Sequence, residues 1–422
     1  MRRFSRRVLG DGGGLSRKFA WGLLDQLAWS ATNFGLSLFG GRFLGVSGLG
    51  VITIGFSAYL IVLGFHRSLL SEPLIIVTAE HTEEARRQAT KASISATVGL
   101  GLVSAGILAV LGLWIGGPIG RGLLLFAPWL LPALLQDLWR MIFFRDERGR
   151  AATANDAVWL VTMSLCLLVS QSFRADWAIV ACWGMGAMTS TIVGFAQLRA
   201  WGGSPKTAWT WVIKEAWPVG RWFAAESTVY TIATQLVVFL LAGLLGAAAV
   251  GGLRSVQVIF APLSVLGPAA ALPGLPLVRK AVSESHSAAR RLALMLSAVV
   301  VLLTLMYLLA CLINREALLT AVFGPNFARY GGLIWPIGIH QLVAAAAGGY
   351  YLLLKAYRGG KWILLSLSLS SFVTLALLVS VSRRFGIVGG AWTIALGAAV
   401  GTVSIIAFAF MVPRTRQADE VQ

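Results

Sequence analysis

Uncharged, mostly apolar stretches run through the whole chain and are separated by short clusters of charged residues. A helix that crosses a bilayer needs about 20 consecutive, predominantly apolar residues. When the chain is divided at each Asp, Glu, Lys and Arg, twelve long uncharged runs remain, at 26–41, 43–65, 92–120, 122–136, 157–173, 177–198, 227–253, 255–278, 292–314, 330–354, 362–382 and 385–413. The pattern therefore predicts an all-α, polytopic integral membrane protein with twelve transmembrane helices, numbered TM1 to TM12 in chain order.

Three of these runs, in TM1, TM4 and TM5, are shorter than a full span and reach that length by extending past one charge. TM1 extends back to Phe19 through Asp25, and TM4 extends onward through Asp137. A charged side chain inside the bilayer is costly and is by default a candidate functional group. The extensions therefore predict carboxyl groups within the membrane.

The composition agrees with this pattern, since 57% of the 422 residues are apolar and only 12% are charged. Soluble domains have about 25% charged residues, so a soluble globular protein is excluded. The three cysteines, Cys166, Cys182 and Cys311, fall in different predicted helices without metal-ligand spacing. Phosphate-binding loops, zinc motifs and hydrolase elbows are absent from the sequence. We therefore expect no cofactor, no metal and no enzymatic activity.

Basic residues are distributed unevenly over the predicted loops. With both termini in the cytoplasm, twenty-six of the 35 Lys and Arg residues fall in inner segments and seven in outer loops. Loops rich in Lys and Arg stay cytoplasmic, which predicts an N-in, C-in, multi-pass protein of the cytoplasmic (plasma) membrane. The net charge of +18 then reflects topology and attraction to anionic inner-leaflet lipids, and nucleic acid is not an expected partner.

The sequence repeats itself weakly at a shift of 201 residues, which puts Asp25 on Glu226, Gly45 on Gly246 and Gly50 on Gly251. Two six-helix halves that both begin inside predict parallel, pseudo-symmetric repeats with a cavity between them. The predicted domains are a basic N-terminus at 1–18, a first lobe at 19–198, an amphipathic cytoplasmic linker at 199–221, a second lobe at 222–412 and a cytoplasmic tail at 413–422.

Several short motifs carry a resemblance to one superfamily of transporters. They are Asp25-Gln26, Thr32-Asn33-Phe34 and Leu44-Gly45 in the opening pair of helices, Phe323-Gly324-Pro325-Asn326-Phe327 before TM10, and Phe385-Gly386-Ile387-Val388-Gly389-Gly390-Ala391 before TM12. In order and spacing they are similar to polysaccharide flippases of the Wzx type, which belong to the multidrug/oligosaccharidyl-lipid/polysaccharide (MOP) exporter superfamily. The resemblance implies a MATE-like, V-shaped pair of six-helix lobes that works by alternating access, with a lipid-linked oligosaccharide as cargo.

Two other functions stay open beside this one. Cation-coupled drug or small-metabolite exporters share the implied fold and are the main alternative, whereas the lipid II flippases of the superfamily usually have fourteen helices, two more than predicted here. A membrane glycan polymerase or ligase needs catalytic residues on a large outer loop, and the longest predicted outer loop, 314–330, has no histidine. The expected partners are membrane lipids, a lipid-linked glycan and the glycan assembly machinery.

Asp25 and Arg67 are candidates for an ion pair within the membrane. If TM1 and TM2 form a hairpin centred near residue 46, the two positions lie at equal depth. The pair would then be an inner gate or a proton-sensitive contact, or else a static pair that only satisfies two buried charges. The resemblance adds that some transporters of the superfamily carry a protonatable Asp in TM1, at the position of Asp25.

Glu226 and Arg254 are the corresponding candidates in the second half. The position that matches Arg67 there is not basic, so Glu226 is expected either to couple transport to protons or to reach the inner surface. Arg254 is the candidate for a phosphate contact, because a guanidinium binds phosphate through two parallel hydrogen bonds. The lipid II flippases keep cavity arginines in TM2 and TM8, and the resemblance carries these over to Arg67 and Arg254.

Three uncharged or weakly charged polar residues complete the candidate site. Gln26 and Asn33 lie seven residues apart and so share one face of TM1, where they could contact sugar or hydrogen-bond to a neighbouring helix. His340 in TM10 could relay protons or could be an ordinary core histidine.

Overall fold

A computed structural model describes residues 12–169 and 174–419, excluding the side chains of residues 12–20, 23, 80, 222–230, 264–265, 268–273 and 413–419. Within these ranges every regular element is helical. The α-helices are α1 (Gly12–His66), α2 (Glu72–Val77), α3 (Glu83–Ile115), α4 (Gly117–Phe126), α5 (Leu130–Arg145), α6 (Gly149–Val169), α7 (Asp176–Leu198), α8 (Pro205–Trp211), α9 (Trp217–Leu245), α10 (Ala247–Ile259), α11 (Leu266–Glu284), α12 (His286–Ile313), α13 (Arg315–Phe323), α14 (Ile334–Ala356) and α15 (Gly360–Asp419).

Within the described residues, short helices of other types connect several of these elements. Two are π-helical, at Arg67–Ser71 and Val212–Ala216. Four are 3₁₀-helical, at Thr78–Glu80, Ala127–Trp129, Ala261–Val265 and Pro325–Leu333. The π turns widen the helices in which they lie, and such turns occur frequently at functional sites.

The long helix α1 reverses its direction at Gly45. This residue has φ 70° and ψ −166°, a conformation that glycine adopts readily because it has no Cβ. A straight helix would separate residues 25 and 67 by about 63 Å. Asp25 nevertheless binds Arg140, and Arg67 binds Asp137, which lies three residues away on the same helix. The two arms of α1 therefore form a helical hairpin.

The C-terminal helix α15 turns in the same way at Gly386, where φ is 63° and ψ is −152°. Beyond the turn, a Cβ at Gly397 would lie 1.8 Å from Oγ1 of Thr374, and a Cβ at Gly401 would lie 2.9 Å from Cβ of Ser370. These glycines face residues four apart on the opposite arm. Their spacing thus serves close helix packing, as is usual for such pairs in membrane helices.

Eight helical stretches among the described residues are long and apolar enough to cross a membrane, and two of them, Leu24–Val77 and Gly360–Val412, each contain a glycine turn and so hold two consecutive predicted helices. Thr231–Leu245 and Ala247–Ile259 are shorter apolar helices. TM7 ends at Gly246, with φ 82°, so Arg254 lies within the helix that follows, Ala247–Ile259. The number of twelve crossings and the N-in, C-in orientation stay predictions.

The chain divides into two compact units. The first comprises residues up to Leu44 together with Gly55–Thr228, and the second comprises Gly45–Ile54 together with residues from Val229 onward. The main division lies close to the predicted end of the linker at residue 221, but residues 45–54, which the sequence assigns to the first lobe, belong to the second unit. The core of the first unit centres on α5, where Leu138, Trp139 and Ile142 are fully buried.

Within the second unit, residues 45–54 cross α10 at very close range. A Cβ at Gly50 would lie 1.8 Å from the carbonyl oxygen of Ala247, and a Cβ at Gly251 would lie 1.9 Å from the carbonyl oxygen of Val46. Both pairs are related by the shift of 201 residues, and Gly45 and Gly246 have similar backbone conformations. The reciprocal contacts are those expected of two repeated segments related by a local two-fold axis, so they support the internal repeat.

The orientation can be tested at Lys206, which is exposed in the linker. The basic-residue distribution predicts that a cysteine at position 206 reacts with an impermeant maleimide only after the cells are opened. Arg383→Cys is the matched control, since Arg383 is exposed in a predicted outer loop and should react in intact cells. Labelling at position 206 in intact cells would contradict the predicted topology.

Candidate functional site

A network of ionised and polar side chains lies buried in the first unit around α5. Gln136, Asp137 and Arg140 are spaced one, three and four residues apart, which places them on adjoining parts of one helix surface. Gln136 and Asp137 are buried because α5 is surrounded by other helices of the unit. Polar groups on such a central helix must find partners on its neighbours.

Arg67 binds Asp137 in a two-point geometry. Its Nε donates to Oδ1 and Oδ2 of Asp137 at 3.1 and 3.0 Å, and its Nη2 donates to Oδ1 at 2.5 Å. Asp137 is almost fully buried, whereas the Arg67 side chain is 32% exposed. Arg67 also begins the π turn Arg67–Ser71.

Asp25 binds Arg140, not Arg67, and so corrects the predicted pair. Nε of Arg140 donates to Oδ2 of Asp25 at 2.6 Å, and the same nitrogen lies 3.8 Å from Oδ2 of Asp156 on α6. Asp25 and Arg67 lie at similar depth, because they bind residues one turn apart on α5. The predicted partner was wrong because α5 supplies an ion of opposite charge to each of them.

Two carboxylate oxygens of this network have no hydrogen-bond partner among the described residues: Oδ1 of Asp25 and Oδ2 of Asp156. Both residues are at most 2% exposed, so bulk water does not solvate these oxygens. The other oxygen of Asp156 accepts a hydrogen bond from the Gln136 amide. Buried polar groups are normally satisfied. Asp25 uses its other oxygen, Oδ2, to bind Nε of Arg140, and Oδ2 of Asp156 lies 3.8 Å from the same nitrogen.

Asn155 fixes the neighbouring part of the site. Its Nδ2 donates to the carbonyl oxygen of Ser190 at 2.8 Å, and its Oδ1 accepts from Oγ of Ser190 at 2.7 Å. Gln136 also contacts Asn155, with Nε2 and Oδ1 3.4 Å apart. These bonds tie α5, α6 and α7 together and hold the Asp156 carboxylate in place.

His66 extends the network toward α3. The ring is fully buried, with Nε2 3.0 Å from Oγ1 of Thr97 and Nδ1 3.7 Å from Oδ2 of Asp137. With His66 neutral, three aspartates face two arginines, so the ionised network has an excess of one negative charge. It therefore has the capacity to hold one additional proton or small cation.

The predicted site residues do not include Arg140, Asp156, Gln136, Asn155 or His66, and Asp137 is predicted only as a carboxyl within the membrane. A signal existed for Asp156, because the short TM5 run reaches a full span only when it extends past one charge, and Asp156 is the charge that precedes it. No comparable signal marks the two amides or the histidine, since polar side chains in apolar runs do not reveal which helix they face.

The remaining predicted residues whose side chains the structure describes take no part in the contacts above. Gln26 and Asn33 are partly exposed on the first arm of α1, and His340 is partly buried on α14. Arg254 is partly buried on α10 between two buried residues, Leu253 and Ser255. Glu226 falls within α9, among residues whose side chains lie outside the described part of the structure. The roles of these residues stay predictions.

Comparison with solved structures identifies the fold. The chain is similar to the lipid II flippase MurJ in an inward closed conformation, with a TM-score of 0.70 over 91% of this chain and 86% of that chain at 10% sequence identity. It is also similar to an inward-facing multidrug resistance MATE family transporter of the MOP superfamily, with a TM-score of 0.72 over 92% and 95% of the two chains at 10% identity. The chain has the fold of the MOP superfamily transporters.

The chain is also similar to a MOP superfamily transporter from Pyrococcus furiosus Vc1, with a TM-score of 0.61 at 12% identity over 94% of this chain and 95% of that chain. The binding pocket of that transporter has a reverse polarity. No protein-family model and no curated protein matches the sequence. The matched structures are transporters and not enzymes. The MOP fold makes this chain an all-α, multi-pass membrane protein.

Proposed function

We propose that this protein flips a lipid-linked oligosaccharide or polysaccharide precursor across the cytoplasmic membrane by alternating access, coupled to a proton or cation gradient. The observation that supports the coupling of transport to an ion gradient is the buried network around Arg140, which has net negative charge and two carboxylate oxygens without a hydrogen-bond donor among the described residues. Three buried aspartates face two arginines in this network, so a proton or a small cation would neutralise its excess negative charge.

Coupling would take place at Asp25 and Asp156. Both carboxylates share the Nε of Arg140, so they repel each other when both are ionised. A proton or a small cation between them would remove this repulsion and would let the Arg140 guanidinium bind more evenly to both. Because the two residues lie on different helices, α1 and α6, binding and release would change the force between these helices.

Arg254 supports the choice of a lipid pyrophosphate as cargo. It lies eight residues beyond the turn at Gly246, about 12 Å along α10, within an apolar helix. A pyrophosphate must pass about 30 Å of hydrocarbon, and a guanidinium lowers this barrier through two-point hydrogen bonds.

The proposal predicts that Arg254→Ala abolishes glycan export and that Arg254→Lys restores it only in part, because an ammonium lacks the planar two-point geometry. The measurement is the accumulation of polyprenyl-linked glycan on the inner leaflet of a deletion strain that expresses each variant. Arg291→Ala is the matched control, since Arg291 is exposed on α12 and its loss should leave export unchanged.

Cation-coupled export of a drug or small metabolite is the second candidate function. The acidic network favours it equally, because a site with excess negative charge can couple transport of either cargo to a cation. Unchanged glycan export in Arg254→Ala, together with altered resistance to cationic compounds, would support this function over glycan flipping. Membrane lipids are partners under either function, and the glycan assembly machinery is a partner only under the first.

A further inference from the structure

The linker helix has one side that is buried and one side with exposed apolar residues. Along α8 and the following π turn Val212–Ala216, Ala208, Trp211 and Ala216 are buried against the first unit. On the outside, Trp209, Ile213 and Trp217 are 68%, 49% and 50% exposed and recur every four residues. We call these three residues the tryptophan row. An exposed apolar row of this kind is stable only where it meets an apolar or interfacial medium.

A groove lies between the same linker segment and the first turns of α3. It has a volume of about 370 Å³ and is lined by Lys206, Thr207, Thr210, Trp211, His81 and Gln88, among others. Glu215 also lines it. The groove therefore combines a cation and neutral hydrogen-bond donors with one acid. The tryptophan row lies on the same linker segment.

The surroundings of the groove are basic. Over residues 199–221 four basic residues face the single acid Glu215, and Lys206, Lys214 and Arg221 are all exposed. The linker continues directly into α9, whose later part, Thr231–Leu245, is an apolar helix. The row and the groove thus lie next to the predicted inner boundary of the membrane, where indole rings and Lys side chains both favour the headgroup region.

We propose that the groove and the tryptophan row together bind an anionic phospholipid of the inner leaflet. Lys206, with Lys214 nearby, would attract the phosphate, and the tryptophan row would lie along the upper part of the acyl chains. The occupant is a lipid and not a soluble anion, because a soluble anion would leave the row exposed to water. The proposal does not depend on the identity of the transported cargo.

Lipid bound here would stabilise the segment that holds Arg67. A Cβ at Gly220 would lie 2.9 Å from the carbonyl oxygen of Ser68 and 3.0 Å from Cγ of Pro73. Trp211 and Ala216 share one core with Leu70 and Leu74. The linker therefore packs directly on the π turn that begins with Arg67, and a ligand that orders the linker also orders this turn.

Native mass spectrometry of the full-length protein with phosphatidylglycerol tests the site. Lys206→Gln combined with Lys214→Gln should weaken retention of this lipid about tenfold, since each Lys near an anionic surface contributes to binding. Arg291→Gln combined with Lys361→Gln is the control, because it removes the same charge from exposed positions elsewhere and should change retention little. Lys206→Arg with Lys214→Arg should bind as the wild type does.

Thermal unfolding in nanodiscs gives a second, independent readout. Phosphatidylglycerol should raise the unfolding temperature of the wild type and of the control above its value in phosphatidylcholine, and this increase should be lost in the Lys206 and Lys214 variant. Equal lipid retention by the variant and the control would overturn the proposal. Binding of glycerophosphoglycerol, which has no acyl chains, as tight as that of the lipid would overturn it too.

Discussion

Arg140→Met should destabilise the protein by about 3–5 kcal/mol, the range for a buried ion pair that loses one partner. Nε of Arg140 lies 2.6 Å from Asp25 and 3.8 Å from Asp156, and the guanidinium lies 3.8 Å from Asp137 as well. Removing it leaves three buried carboxylates with one arginine. Methionine keeps a similar length and an apolar stem, so the loss measures the charge more than the packing.

The measurement is the unfolding temperature and the folded yield of the purified variant in detergent. Arg150→Met is the control, because Arg150 is exposed in the first turn of α6. This substitution should change the free energy of unfolding by less than about 0.5 kcal/mol. The double variant Asp25→Asn with Arg140→Met should recover part of the loss, since it removes one of the uncompensated charges. A double variant no more stable than Arg140→Met would show that repulsion among the carboxylates is not the cause.

The order of the helices could be predicted because an uncharged run of about 20 residues in a membrane protein has few structures open to it other than a membrane-spanning helix. The turns could be predicted as well. The hairpin centre predicted near residue 46 lies at Gly45, and the shift of 201 residues carries it to residue 247, next to the turn at Gly246, where φ is 82°. Gly45 and Gly246 are aligned by the internal repeat, so the repeat held the information that the charge pattern lacked.

The ion network shows a second limit of the sequence. Hairpin geometry gives the depth of a residue in the membrane, and it correctly placed Asp25 and Arg67 at one level. It does not show which helix a side chain meets, because a third helix can pack against both helices of a hairpin. Here α5 brings Asp137 and Arg140 to that level, and each binds one of the two residues. To predict which residues pair between helices, one therefore needs to know how the helices pack as well as the depth of each residue.

Gly50→Ala and Gly251→Ala should each destabilise the second unit by about 3 kcal/mol, at the upper end of the cost of overpacking. The new Cβ would lie 1.8 Å from the Ala247 carbonyl oxygen in the first variant and 1.9 Å from that of Val46 in the second. These contacts are with backbone, so no side-chain rotation relieves them, and the two helices must move apart. Gly243→Ala is the control, because a Cβ there meets nothing within 4 Å and alanine favours a helix.

The double variant Gly50→Ala with Gly251→Ala gives the sharpest result. Both glycines belong to one crossing, in which Val46 and Gly50 face Ala247 and Gly251. Once the first alanine has separated the helices, the second should cost little, so the double variant should be only slightly less stable than either single variant. Unfolding temperatures of the four proteins measure this coupling. Additive losses would mean that the two glycines act at separate contacts, and the local two-fold relation between the repeated segments would then lose its energetic support.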